Sequence, residues 1–274
     1  MKRLEIRNPW PGAPVYFKEA TESTMEDARR LFSSGCPDGT VVLTDFQERG
    51  RGRVKERRWN AEPGKNLLFT VVLRTQSGGI GGTPQRLPLL AGLALALSVE
   101  HLYGLPARLK WPNDLLVEGK KLAGILCEAL VEGESLGVLI GIGVNCNQLA
   151  FPEELDSKAT SLARLLGGQV SVPELLGVIL SALKASLSDE KWHAKVVARL
   201  YGLNREILLL SPQGPSPGGQ RGILRGLNRD GALLFQPQGG SGSVAVYGGE
   251  IRFVGEEDSR ESTGSRPGRR RARS

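Results

Sequence analysis

The stretch from Lys110 to Glu128, KWPNDLLVEGKKLAGILCE, leaves this chain few folds to choose from. Proline biases the residue before it toward extended backbone and cannot donate to a central ladder, so Trp111–Pro112 belongs at a strand end or edge. Two apolar runs, Leu115 to Val117 and a second beginning at Leu122, flank Glu118-Gly119-Lys120. That spacing predicts a β-hairpin with a glycine in its turn. Asn113 and Asp114 then stand at the start of one strand, and Lys121 lies just past the turn, where alternation can point it into a pocket. An amide, a carboxylate and an ammonium converging on a rigid edge suit anionic substrates and a metal ion. The competing reading is a surface hairpin with solvated polar residues, and the remaining sequence has to decide between the two.

A chain of 274 residues can bury a sizeable core, as one large domain or a large one plus a small one. Nowhere do eighteen apolar residues run together, so no membrane-spanning helix is expected. The opening residues, MKRLEIRNPWPGAP, lack the apolar segment and small-residue cleavage site of a secretory signal. Cys36, Cys127 and Cys146 are an odd number, widely spaced, and accompanied by only two histidines. Neither a disulfide framework nor a zinc site follows; reduced thiols in a cytoplasmic protein are the simplest expectation. The formal charge of +7 raises nucleic acid as a partner. Much of that charge sits in Arg49 to Arg58 and in the terminal run Arg266 to Arg273, and the latter reads as a solvated tail.

In chain order, the proline-rich first fifteen residues read as a short lead-in, with no room for a helix-turn-helix before Val15 to Phe17 begin a strand. Ser23 or Thr24 caps a helix carrying Ala28, Leu31 and Phe32 on one face, with Glu26 and Asp27 in its first turn. Thr40 to Phe46 is a strand running into Gln47-Glu48-Arg49-Gly50-Arg51-Gly52-Arg53 and on to Trp59. Its glycines let backbone approach a ligand and its arginines offer forked donors to carboxylate or phosphate. An exposed charged loop, an RNA-binding segment and a lid ordering over an anion are the three readings; the strand before it and the aromatic after it favour the lid.

Asn66 to Arg74 is a strand, Thr75 to Pro84 a glycine-rich loop, and Leu87 to Tyr103 a buried helix, with His101 placed to complement the dipole at its C-terminus. Leu136 to Val144 is a strand ending in Gly141-Ile142-Gly143-Val144-Asn145-Cys146-Asn147. No helix follows it, so a dinucleotide fingerprint is rejected, while Asn145 and Asn147 can present amides to a base or ribose. Helices over Ser161 to Leu166, Pro173 to Leu187 and Lys191 to Leu200 follow, the second capped by Ser171. From about Asn204 the texture changes to short strands, Ile207–Leu210, Gly222–Leu227, Ala232–Phe235 and Val244–Val246, which suggest a small barrel.

Taken together these stretches resemble a biotin protein ligase over residues 15 to 254. The resemblance rests on Ser23-Thr24, Gln47, Gly50-Arg51-Gly52-Arg53, Trp59, the KWPNDLLVEGKKLAGILCE hairpin, Gly141 to Asn145 and the terminal β-module. It implies an α+β fold: a mixed sheet with helices packed on one face, then a small SH3-like barrel. It divides the chain into a lead-in over 1–14, a catalytic domain over 15–203, a β-domain over 204–254 and a basic, disordered tail over 255–274.

The resemblance also implies ATP-dependent attachment of biotin to a lysine of a carboxylase carrier domain through a biotinyl-adenylate, with Mg²⁺. Ser23, Thr24, Met25, Gln47, Gly50 and Gly124 would contact biotin. Arg51, Gly52, Arg53 and Lys121 would close on its carboxylate and the phosphate, Lys121, Arg51 and Arg53 as catalytic groups. Trp59, Asn113, Lys121 and Asn145 would contact ATP, and Asp114 the metal. A homodimer is compatible with the resemblance; specific DNA binding and a membrane are not expected. The chain departs from the family's pattern in three places. Met25 stands where asparagine is usual, Arg49 where alanine is usual, and Val54 to Arg58 replace a shorter Arg-Gly-Arg continuation. The nearest alternative is a lipoate or octanoate ligase or transferase, and a more remote one is a nucleic-acid binder.

Overall fold

The computed structural model describes residues 1–53, 58–75, 85–211 and 218–255. The expected loop from residue 76 to 84, the residues 54–57 of the arginine segment and the tail from 256 lie outside the described residues.

The strands β1 (Lys2–Leu4), β2 (Val15–Thr21), β3 (Thr40–Gln47), β4 (Leu67–Thr75), β5 (Ala107–Lys110), β6 (Asp114–Val117), β7 (Lys120–Glu132) and β8 (Ser135–Val144) form one sheet. Their order is β1-β2-β3-β4-β8-β7-β6-β5. Only β2 and β3 pair in parallel, because the helix α1 (Thr24–Ser33) carries the chain back between them; the other neighbours are antiparallel. The lead-in is built into this sheet: Lys2 to Leu4 pair with β2, and buried Trp10 covers Gly39, where a side chain would collide with its ring.

The two faces of the sheet are covered differently. The long helix α2 (Arg86–Tyr103) buries nearly its whole circumference between the sheet and α5 (Val172–Leu187). Gly92 lets it approach β5, since an added methyl there would overlap Leu109. Between them in sequence lie α3 (Glu153–Asp156) and α4 (Leu162–Leu166), and α6 (Trp192–Val197) follows. Among the described helices, α1 covers the opposite face, packing Met25, Ala28 and Phe32 on Val42, Val72, Leu130 and Leu139. Burial of a side chain the size of Phe32 contributes roughly 1.5–3 kcal/mol. Asp27, also buried, fixes the first turn of α1 by accepting from Thr21 Oγ1 at 2.6 Å and Lys18 Nζ at 2.7 Å.

The track on which α1 lies is made of glycine. Along β8 the side facing α1 reads Gly137, Leu139, Gly141, Gly143, the alternate residues of a strand. A Cβ at Gly137 would sit 2.4 Å from Phe32, and one at Gly141 2.7 Å from Met25 Sδ. These glycines serve close packing rather than a turn.

The hairpin forms as expected, with Glu118 and Gly119 both at positive φ in a two-residue turn. Trp111 to Asn113 make a second tight turn between β5 and β6, and the Trp111–Pro112 peptide is cis. The pairing of β6 with β7 slips between Leu115 and Leu116, which is a β-bulge at Leu122. The terminal strands β9 (Glu206–Leu210), β10 (Gln220–Leu227), β11 (Leu233–Pro237), β12 (Val244–Val246) and β13 (Glu250–Phe253) form an antiparallel sheet ordered β12-β11-β10-β9-β13. The last of these was missed in the sequence, where two glycines and an arginine obscure the alternation of Ile251 and Phe253. The apolar core runs unbroken from α2 and α6 into this second sheet through Leu227, Leu233 and Phe253.

Candidate active site

Past the N-terminal end of α1, the glycine track emerges as the floor of a trough. Gly124 and Gly143 are cross-strand partners on β7 and β8. The Trp59 indole rests on both, so that a Cβ would come within 2.9 Å of the ring at Gly124 and 2.6 Å at Gly143. Trp59 is carried by the connection from β3 to β4, and its amide donates to Gly50 O at 3.0 Å. The connection is anchored by a buried amide pair. Asn66 Nδ2 donates to Gln148 Oε1 at 2.7 Å, and Asn66 Oδ1 accepts from the Cys146 amide at 3.1 Å.

One end of the trough is built by α1. Ser23 Oγ caps the helix on the Met25 amide, and Gln47 Oε1 accepts from the Thr24 amide at 2.9 Å and from Thr24 Oγ1 at 3.1 Å. Thr70 Oγ1, buried on β4, donates to Thr24 Oγ1 at 2.8 Å. These bonds use the acceptor of Gln47 and leave its amide donor, Nε2, beside Gly50.

At the other end stand Lys121 and Asp114, whose Nζ and Oδ1 are 2.6 Å apart. Strict alternation would place Lys121 and Gly124 on opposite faces. The bulge at Leu122 turns Lys121 onto the trough side, with its Nζ 5.6 Å from the centre of the Trp59 ring. Arg51 pairs with Glu26 at 2.9 Å, and Arg53 Nη2 donates at 2.6 Å to Gly249 O, in the turn between β12 and β13. Gly52 lies between them on the same short segment.

Two expected ligand residues have their amide donors engaged by backbone. Asn113 Nδ2 donates to Ile125 O at 2.7 Å, and buried Asn145 Nδ2 donates to Thr160 O at 3.0 Å and Lys121 O at 3.4 Å. Asn147 likewise holds Val170 through both its side-chain oxygen and nitrogen. His101 is exposed at the end of α2, as its position suggested. Among the described residues no group of three or more His, Cys, Asp and Glu side chains could hold a metal. Sequence reasoning passed over Thr70, Gly143 and Glu26 as trough residues. Gly143 carried a signal, being in Gly-x-Gly, but Thr70 sits in an ordinary β-branched run.

The arrangement suits an elongated acid. Polar donors and hydroxyls stand at one end, glycine and indole along the middle, and cations at the other. Sequence comparison places the chain among proteins of this kind. A sequence model of the biotin/lipoate A/B protein ligase family matches residues 17–145. The bifunctional ligase/repressor BirA of Bacillus spizizenii is 31% identical over 262 residues, spanning 92% of this chain and 77% of that protein. Biotin--[acetyl-CoA-carboxylase] ligase of Mycobacterium tuberculosis is 32% identical over 237 residues, 84% of this chain and 85% of that one. The chain belongs to the biotin protein ligase family. The fold agrees: the biotin protein ligase of Aquifex aeolicus, solved in complex with biotin and ATP, superposes with a TM-score of 0.74. It does so at 27% identity over 87% of this chain and 98% of that one.

Proposed function

We propose that this protein activates biotin with ATP and transfers it to a lysine of a biotin carboxyl carrier domain. The observation that carries the reading is the trough itself: a Gly124–Gly143 floor with Gln47 and Thr24 at one end and the Lys121–Asp114 pair at the other. Joining a carboxylic acid to an amine in water needs an activated acyl group. Attack of the biotin carboxylate on the α-phosphate of ATP gives biotinyl-adenylate and diphosphate. The target lysine amine then attacks the acyl carbon, and AMP leaves.

The protein's part in the first step is electrostatic, because two anions must approach and negative charge builds on the phosphorus oxygens. Lys121, Arg51 and Arg53 offer the positive charge that offsets it; one well-placed donor of this kind is worth about 3 kcal/mol in a transition state. Engaging substrate requires Arg51 to share its guanidinium with Glu26, and Arg53 to leave or share Gly249 O. Trp59 and the arginine segment would cover the adenylate and keep water from hydrolysing it. The donor set around Asp114 is one carboxylate, already paired with Lys121, which suits Mg²⁺ arriving on the triphosphate better than a resident ion. Bound there, Mg²⁺ would neutralise phosphate charge.

No described helix is long and apolar enough to cross a membrane. The three cysteines are unpaired, which supports a reducing, cytoplasmic setting as part of the reading. Repression of an operator is not part of it; sequence-specific DNA binding at physiological salt would add it. The reading is tested by exchange of labelled diphosphate into ATP with biotin, lipoate or octanoate as the acid. Exchange with biotin alone is expected. Exchange with lipoate or octanoate alone would move the protein to a different acyl substrate, and no exchange by the folded protein would end the reading.

A further inference from the structure

Beside the trough, two acidic residues that flank Ser23-Thr24-Met25 meet two arginines of the arginine segment. Glu26 Oε1 lies 2.9 Å from Arg51 Nη2, and Glu22 Oε1 lies 3.7 Å from Arg49 Nη1. The backbones are joined in the same place: the Glu48 amide donates to Thr21 O and the Arg49 amide to Glu22 O, each at 2.9 Å. Arg51 is further registered against Arg58 by a β-bridge. Glu26 has a fixed direction, because its neighbour Asp27 is buried and bonded to Lys18 and Thr21, which locks the first turn of α1.

We infer that Glu26 is a positioning residue for the activation step, holding the Arg51 guanidinium at the α1 wall of the trough before substrate arrives. Glu22 secures the root of the same segment through Arg49. A guanidinium has five donors in a planar fork, so one edge can stay on Glu26 while the other meets a carboxylate or phosphate. An arginine already placed loses less side-chain freedom when the acid binds, and the gain falls on binding rather than on the chemical step. The pair is partly solvated, with Glu26 29% and Arg51 53% exposed, so its effect is modest and sensitive to salt.

This inference rests on the proposed reaction, and its test separates the two. In biotin-dependent diphosphate exchange at low salt, Glu26→Gln should raise KM for biotin about threefold, as expected for an exposed ion pair, with kcat unchanged. The difference should close at high salt. Glu26→Asp keeps the negative charge at the helix start but shortens the arm, so it should behave like Glu26→Gln. Hydrogen exchange of the ligand-free protein should show the amides of residues 48–52 opening faster in both variants. Wild-type KM and wild-type exchange rates in Glu26→Gln overturn the inference; so does a Glu26→Asp variant indistinguishable from wild type, which would assign the effect to helix-terminus charge. If the wild-type protein activates no acid, the proposed reaction fails, and unchanged hydrogen exchange in the variants sinks the positioning role as well.

Discussion

Lys121 Nζ and Asp114 Oδ1 lie 2.6 Å apart although they come from different strands, and the β-bulge at Leu122 is what brings them together. Asp114 pairs across the ladder with Gly124, so the carboxylate, the ammonium and the glycine floor share one face. The carboxylate therefore does for Lys121 what Glu26 does for Arg51: it fixes where a flexible cation rests.

Removing the ammonium should be costly. Lys121→Ala is expected to slow biotin-dependent diphosphate exchange by about 100-fold, the scale of losing one transition-state donor. Asp114→Asn leaves the cation in place but untethered, and about a tenfold loss is expected. Both variants should keep the wild-type circular dichroism spectrum. Exchange within twofold of wild type in Lys121→Ala would remove it from the chemistry.

A methyl group at position 143 tests the floor. Gly143 does not use a positive φ, so alanine suits its backbone, but the new Cβ would meet Trp59 at 2.6 Å. The indole has to shift off the Gly124–Gly143 plate. Gly143→Ala should weaken biotin binding by tenfold or more in isothermal titration, at a cost to stability in the ~1–3 kcal/mol range of an overpacked contact. Unchanged affinity would mean that substrate does not use this plate.

The order of the elements was legible because apolar periodicity, the Ser23 and Ser171 caps and the Glu118-Gly119 turn are local signals. The bulge at Leu122 was not, since nothing local distinguishes Lys121-Leu122-Ala123 from regular alternation; the slip is set by pairing with β6. Gly141 and Gly143 read only as the glycine-containing end of a strand, because their role depends on α1 and Trp59, remote in sequence. The amides of Asn113 and Asn145 looked free in one dimension. In three, their donors hold backbone carbonyls. The strand β1 was hidden in a proline-rich segment because its partner, β2, supplies the pairing.

The cysteines offer a test of the core that does not depend on the reaction. Burial pushes the Cys146 thiol up to about 12 and raises that of Cys127 further, whereas Cys36 lies at the end of α1, partly exposed. Cys127 is itself half-buried, but since the thiolate is the nucleophile, a raised pKa means almost none of either thiol is reactive near neutrality. Alkylation of the native protein at pH 8 should therefore modify Cys36 alone, and denaturation should release the other two. Rapid labelling of Cys146 in the native state would contradict the packing at the β8 exit.

Trp111 joins the hairpin to the second sheet. Its side chain is buried, and Nε1 donates to Gly231 O at 3.2 Å, in the turn between β10 and β11. That turn packs tightly on α2: a Cβ at Gly231 would lie 3.0 Å from Gln85 O. Trp111→Phe keeps most of the apolar contact but removes the donor, leaving the Gly231 carbonyl without it. An unsatisfied buried acceptor costs about 1–3 kcal/mol, enough to lower Tm by roughly 2–6 °C in a chain of this size. Lys121 and Gly124 lie one turn further along the same hairpin, so the loosened seam should also raise KM for ATP or biotin. A Tm within 1 °C of wild type, as an order-of-magnitude threshold, would show that water replaces the indole donor and that the seam is held by packing alone.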